Sequence, residues 1–166
     1  EEAADNYERD VLVAPPVPVG ISEEHRQFSG TLWVSPDTFR RYVREVVESL
    51  SSHGWNRVVI VNGHGGNAAA IGEVAAGVSR ASEAIVVPFT WFEAAESEHA
   101  MGHAGPLETS LLLHSYPDLV REEEIETAAE GAASRWGDWV SGTNLAHDSI
   151  EFTDNGVVGD PTVASA

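Results

Sequence analysis

Two kinds of apolar run alternate along this chain. In the first the spacing is helical: Phe39, Val43, Val46, Val47 and Leu50 follow Ser35-Pro36-Asp37, which has the form of an N-cap, a first-turn proline and a first-turn acid. A helix is therefore expected from Ser35 up to Gly54. The second kind is continuous and rich in β-branched residues. Arg57–Val61 and Ala84–Phe92 (AIVVPFTWF) are short, bounded by glycine or polar residues, and read as strands. Between them the alanine-rich stretch from Asn67 to Ser82 reads as a helix, and another runs from Pro106 to His114 before Tyr116-Pro117 ends it. Upstream, Val11–Val19 (VLVAPPVPV) reads as a buried strand broken by Pro15, Pro16 and Pro18, and Thr31–Val34 as a second short extended run. From Arg121 the chain is first acidic, then glycine-rich and irregular, closing on DNGVVGDPT (Asp154–Thr162).

Strands separated by helices predict an α/β fold: a mostly parallel central sheet flanked by helices on both faces, three layers in all. Near-continuous apolar strands agree, because strands of parallel sheets are covered on both sides. Ligands in such sheets bind beyond the carboxyl ends of the strands. The polar clusters Ser22–His25, Asn62–Asn67 and Trp91–His103 each follow a strand-like run, so they are expected to converge on one edge.

Size and composition narrow the function. A chain of 166 residues with 42% apolar content suits one domain spanning 1–166 with a sizeable core. Its 27 acidic residues face 9 basic ones, all Arg and no Lys, for a net charge of -18. Such a field repels phosphate backbones and anionic membrane surfaces, so neither nucleic acid nor membrane is expected as a partner, and no apolar run reaches the length of a membrane span. Self-repulsion on this scale also destabilises the compact state in dilute buffer, whereas molar salt cuts the screening length to about 3 Å. A halophilic source is predicted. The melting temperature should climb as KCl is raised toward molar concentration; a flat or falling curve contradicts this. Cysteine is absent, which excludes disulfides, thiolate metal sites and a Cys nucleophile, and leaves His, Asp and Glu as the only metal ligands. No signal or transit peptide pattern is present, which assigns the cytoplasm by default. The chain opens on Glu1 and its only Met is Met101, so an N-terminal segment is expected to precede it.

The chemistry concentrates in the three clusters. In VIVNGHGGNAAA, glycines permit positive φ and close backbone approach, and the neutral imidazole of His64 suits metal ligation or base catalysis. The structural alternative is a tight strand-to-helix turn in which His64 bonds a carbonyl and Asn67 caps the helix. With no Lys after the glycines this is not a Walker loop, and the G-x-G-x-x-G spacing is not met. In SEHAMGHAGPLETS, His99, His103 and Glu108 offer two imidazoles and a carboxylate, a donor set for Zn, Mn or Fe; alternatively Glu108 merely complements a helix dipole. In GISEEHRQFSGT, Ser22 and His25 stand at a strand end as substrate contacts or as turn-forming residues.

Taken in order, G-x-S-x-E-H-x-x-F-x-G-T, VNGHGGN and HAG-x-x-ETS resemble the creatininase (creatinine amidohydrolase) family, and DNGVVGDPT resembles its closing segment. The likeness runs from about Val11 to Thr162. It implies a creatininase-like α/β fold, a site for two divalent ions (Zn, Mn or Fe), hydrolysis of a non-peptide or formyl-type C–N amide bond of a small molecule, and a homo-oligomer, commonly a hexamer. By the same resemblance His64 is a metal ligand, His103 a catalytic histidine, Glu108 a metal ligand or proton carrier, and Ser22 a substrate contact; His25 and Asn67 join the substrate-binding set. The family's first metal motif, a Glu-x-His followed by an Asp, matches nothing here, which implies an N-terminally truncated member with part of its metal site. Gly65 and Gly66 stand where creatinine-opening enzymes carry an aromatic residue and a ligand Glu. The loop instead resembles the GHGGN branch, with its formamide hydrolases and mycofactocin-type proteins, and with the charge balance implies a haloarchaeal member. In that branch Glu108 is the expected replacement ligand.

An amide needs both an activated water and a polarised carbonyl. A divalent ion supplies both by lowering its water's pKa to about 7 and withdrawing charge from the carbonyl, and an imidazole such as His103 can protonate the leaving nitrogen. Two other classes stay open on sequence: a non-catalytic paralogue or fragment lacking a complete metal site, and a sugar- or nucleotide-binding module built on the glycine loop.

Overall fold

The computed structural model describes residues 2–99 and 101–166; Ala100, within the expected Glu93–Gly105 loop, lies outside the described residues. A short helix α1 (Glu2–Asp5) precedes a long extended segment, followed by α2 (Pro36–Ser52), β1 (Arg57–Asn62), α3 (Ala68–Ala81), β2 (Ile85–Thr90), α4 (Pro106–Ser115) and α5 (Ile125–Glu130). A two-residue-per-strand hairpin, β3 (Trp139–Val140) and β4 (Thr143–Asn144), turns through Ser141 and Gly142, both at positive φ as a type I′ turn requires.

The helices form where their caps and spacing specify. The Ser35 hydroxyl accepts the Thr38 N–H at 3.3 Å, with Pro36 in the first turn, and Phe39, Val43 and Val47 bury one face of α2. That face meets Ala70, Ile71, Val74, Ala75 and Val78 of α3, and the two helices close over Ala84 and Val86, with Val58 and Ile60 half-buried beneath. The β1-α3-β2 unit pairs in parallel from Arg57↔Ile85 to Asn62↔Thr90.

The α/β class and the parallel sheet agree with expectation, with two differences. Among the described residues the helices cover one face of the β1-β2 sheet; on the other, Val59 (63% exposed), Val61 (69%) and Ile85 (59%) stand open beside Val87 and Phe89. The continuous apolar pattern of both strands matches a sheet covered twice, and no described residue supplies that second layer. Nor do Val11–Val19 and Thr31–Val34 form strands. Pro15, Pro16 and Pro18 have no N–H to donate to a ladder, and the backbone bond recorded between the extended segments runs from Val34 N–H to the Gly20 carbonyl at 2.9 Å. Val11, Leu12, Val13 and Leu32 are exposed accordingly.

Candidate functional site

The carboxyl ends of β1 and β2 carry two buried polar residues, Asn62 and Thr90, and Asn62 organises the turn above them. Its amide nitrogen donates to the His64 carbonyl at 2.9 Å and to the Thr90 hydroxyl at 3.3 Å, while its oxygen accepts from the His64 N–H at 3.2 Å. His64 is thus held in extended conformation at the end of the strand, and the helix starts beyond it. Of the two uses expected for the glycines, one is seen. None of Gly63, Gly65 and Gly66 has a positive φ, but a Cβ on Gly66 would sit 2.6 Å from His64 Nε2 and 2.5 Å from the Ile21 carbonyl oxygen. Gly66 is required for close approach: a side chain there would collide with the imidazole and with the Ile21 carbonyl.

Asn67 ties this turn to the first cluster. Its oxygen accepts the Ile21 N–H at 2.8 Å and its nitrogen donates to Asn62 at 3.3 Å, while its side chain makes no capping bond to α3. Both ends of the amide, expected at the substrate, serve the scaffold. The chain then forms a 3₁₀ turn, Glu23–His25, pinned from outside by Arg26 and Gln27, which bond the Asp148 carboxylate from two side chains. Ser22 precedes the turn without capping it.

That turn delivers Glu24 to His64. Glu24 Oε1 lies 3.0 Å from His64 Nε2. The contact is close but off the line of an N–H donor, and Nε2 is buried without a hydrogen-bond partner among the described residues. The Glu24 contact nevertheless raises the His64 pKa against the opposing effect of burial. Burial pushes the Glu24 carboxyl up, and the adjacent His64 ring and the residue's own backbone outweigh this, leaving it below the usual carboxylate value.

The third cluster approaches from the opposite side. His103 is fixed by reciprocal backbone bonds with Val158, 3.0 Å and 2.8 Å, so the closing segment acts as a clamp on the imidazole's backbone. Gly102 and Gly105 permit it: a Cβ at either would meet the Val158 carbonyl oxygen at 1.9 Å or 2.5 Å. Ala104 between them is held at φ 50, a costly conformation for a residue with a side chain, and its N–H donates to Glu108 Oε2 at 2.7 Å. The same oxygen lies 3.9 Å from His103 Nδ1, too long for a hydrogen bond but close enough to favour a proton on the ring. Burial outweighs that attraction and holds the His103 pKa below its ordinary value.

His64, Glu24, His103 and Glu108 line one cleft of about 380 Å³, walled by Phe92, Met101 and Trp136. The structure thus brings His64 and Glu108 together from sites far apart in sequence. His99 is exposed and outside the cleft wall. His25, expected to touch substrate, is 5% exposed and sits behind His103, ring centroids 4.1 Å apart and nearly parallel. Burial and the neighbouring His103 lower its pKa to about 4. Glu24 stands in the G-x-S-x-E-H motif, where the sequence reading assigns it no role of its own, and Phe92 and Trp136 have none assigned either; Trp136 lies in the irregular tail and carries no local signal.

The neutral His25 makes stability pH-dependent. Between pH 6.5 and about 4 the unfolded chain takes up a proton at this position that the folded chain refuses, so stability is full above 6.5 and declines as pH falls toward 4. Such a displacement amounts to roughly 3 kcal/mol. Urea melts of metal-free protein should show this decline, and His25→Asn should flatten it; equal slopes in both proteins contradict the assignment.

A divalent ion fits what the cleft offers. Two imidazoles, His64 and His103, and two carboxylates, Glu24 and Glu108, line the same cleft, and N/O donors of this kind serve Zn, Mn and Fe. The fit is partial, because among the described residues no three His, Asp or Glu side chains converge into a complete cage.

Comparison with known proteins agrees with this architecture. The family model "Creatininase: Creatinine amidohydrolase" matches residues 1–166. A mycofactocin precursor peptide peptidase of Mycolicibacterium smegmatis is 34% identical over 161 residues, covering 96% of this chain and 60% of that protein. Its counterpart in Mycobacterium ulcerans is 35% identical over 156 residues, with 93% and 58% covered. The chain thus spans about three fifths of the length of the curated relatives it matches. Among solved structures, a Trp-to-Phe variant of creatininase, Type II, superimposes with a TM-score of 0.63 at 22% identity over 87% of this chain and 62% of its own. A Glu-to-Gln creatininase variant of Zn-Zn type gives 0.64 at 23% over 83% and 58%. At such identities these structures speak for the fold. Together with the family match across the whole chain and the curated relatives, they place this chain in the creatininase family.

Proposed function

We propose that this chain carries part of the active centre of a metal-dependent amidohydrolase that cleaves a C–N amide bond of a small molecule. The observation that supports it most is the shared cleft: His64, with its orphaned nitrogen, and the His103-Glu108 pair face the same space from two separate loops. A divalent ion at His64 supplies Lewis acidity and a water nucleophile competent at neutral pH.

The chain's own groups account for the remaining steps. Burial keeps His103 neutral at rest, ready to accept a proton as water attacks. Once protonated, the ring gains the nearby Glu108 carboxylate as a counter-charge. The proton then passes from His103 to the leaving nitrogen, so the C–N bond breaks to give an amine and a carboxylic acid. Phe92, Met101 and Trp136 form an apolar wall that keeps bulk water from this exchange.

A short peptide is the second substrate reading, favoured by the relatives named as peptidases of a precursor peptide. Formamides, cyclic amides and short peptides, assayed with the full-length protein before and after chelation, separate the two. Turnover of none of them, or turnover indifferent to chelator, contradicts the proposal. The reading includes a homo-oligomer, tested by light scattering, and a salt-adapted cytoplasmic protein.

A further inference from the structure

We propose that His25, expected on sequence at the substrate, is a positioning residue: its ring is the rigid floor that holds the His103 imidazole in the plane from which it exchanges protons. The inference rests on the amidohydrolase reading above, which makes His103 the proton carrier, and it adds what keeps that carrier aimed.

The backbone of His103 is fixed at its N–H and at its carbonyl by Val158, at 3.0 Å and 2.8 Å. That sets where the side chain starts and leaves its two torsions free. The outer one joins a tetrahedral carbon to a planar ring and has broad, roughly two-fold wells, so the plane of a histidine ring is set by what touches it. A hydrogen bond does not set it here, because the Glu108 carboxylate stays 3.9 Å from Nδ1. A ring face does. The His25 ring lies 4.1 Å from that of His103, centroid to centroid, with the two planes 22° apart. Turning the His103 ring about its Cβ–Cγ bond would drive its edge into His25.

The floor is itself braced. Phe28 and Trp136 stand tilted against His25 with centroids 6.3 Å and 6.1 Å away, and Trp136 leans on His103 as well at 6.2 Å. Phe152 backs Trp136 edge-on at 5.9 Å. The turn that carries His25 is pinned to the Asp148 carboxylate by Arg26 and Gln27, at 2.6 Å and 2.7 Å. His25 is only 5% exposed, and its Nε2 has no hydrogen-bond partner among the described residues. A buried nitrogen left unpaired costs stability, so that atom does not explain the residue; the face of its ring does. Nor does a ring so enclosed meet substrate: His103 and Trp136 line the cleft, and His25 lies behind them.

The test is a double-mutant cycle on the full-length protein, assayed with the amides named above: wild type, His25→Leu, His103→Asn and the two combined, with His25→Phe as the replacement that keeps an aromatic face. Circular dichroism and melting curves report folding. A misplacement of about 1 Å costs a reaction on the order of 10²-fold, so kcat should fall by about 10²-fold in His25→Leu with KM little changed, and His25→Phe should recover most of the loss. In the His103→Asn background, His25→Leu should cost nothing further, because the ring it supports is gone. Equal losses in both backgrounds make His25 a general packing residue, and a raised KM at unchanged kcat makes it a substrate contact; either result overturns the proposal, as does wild-type kcat in His25→Leu. Crystal structures of wild type and His25→Leu give a reading independent of activity: the His103 ring should turn or split over two orientations once His25 is lost. If wild type cleaves none of the amides, the hydrolase reading falls and the crystals decide the positioning claim, where an unmoved His103 ring refutes it.

Discussion

Replacing His64 with alanine is expected to remove divalent-ion binding from the cleft and to reduce amide hydrolysis to background. The expectation follows from position. His64 leaves the end of β1 with its backbone held by Asn62 at both N–H and carbonyl, so the position of the residue does not depend on its ring. The ring contact given up is the 3.0 Å approach of Nε2 to Glu24. The substitution therefore costs the scaffold little while deleting a nitrogen donor, and the protein should fold and melt much as before. Removing residues that merely orient a ligand already costs about 10–100-fold in metal affinity, so loss of the ligand itself should exceed that range. Elemental analysis and a Zn²⁺ titration read the result; full metal content in His64→Ala contradicts it.

The His103→Asn variant separates proton transfer from metal binding. Metal content should stay at the wild-type level, because the charged group His103 approaches is Glu108, 3.9 Å from its Nδ1. The value of kcat should fall by about 10²–10⁴-fold, the usual contribution of a positioned acid-base group, with KM changing far less. The pH profile gives a second readout. Burial holds the His103 pKa below 6.5, so the acid limb of the wild-type kcat/KM profile belongs under that value, and the variant should lose it. A matched fall in metal content and kcat would instead make His103 a ligand. Asn retains polarity and approximate size, so stacking against His25 is only partly lost and the Val158 clamp, which holds the backbone, persists.

Much of the scaffold is legible in local sequence. The Ser35-Pro36 start of α2, the β1-α3-β2 unit and α4 from Pro106 follow from caps and periodicity, signals that depend on residues a few positions apart. The convergence of polar loops was legible too, because parallel strands direct their carboxyl ends to one edge, and His64, His103 and Glu108 do line one cleft there.

What escaped depends on contacts distant in sequence. Val11–Val19 has the composition of a strand, but a strand also needs a partner, and three prolines leave it few N–H groups for a ladder. Glu24 reaches His64 through a turn whose position is set by Asn67 and Asp148, neither of which announces the link locally. His25 sits in a polar stretch, yet it is buried by stacking on His103, which no periodicity reveals. The DNGVVGDPT segment forms no regular element because it serves as a tie, with Val158 bridging both His103 and Ala133, the former made possible by glycines at 102 and 105.

Anomalous diffraction from crystals of the full-length protein grown with Zn²⁺ tests the central claim most directly. The account predicts a strong peak in the cleft lined by His64, His103 and Glu108, with the His64 imidazole among the groups that would hold the ion. An ordered ion bound away from His64, or an active protein whose cleft holds no ion, contradicts it.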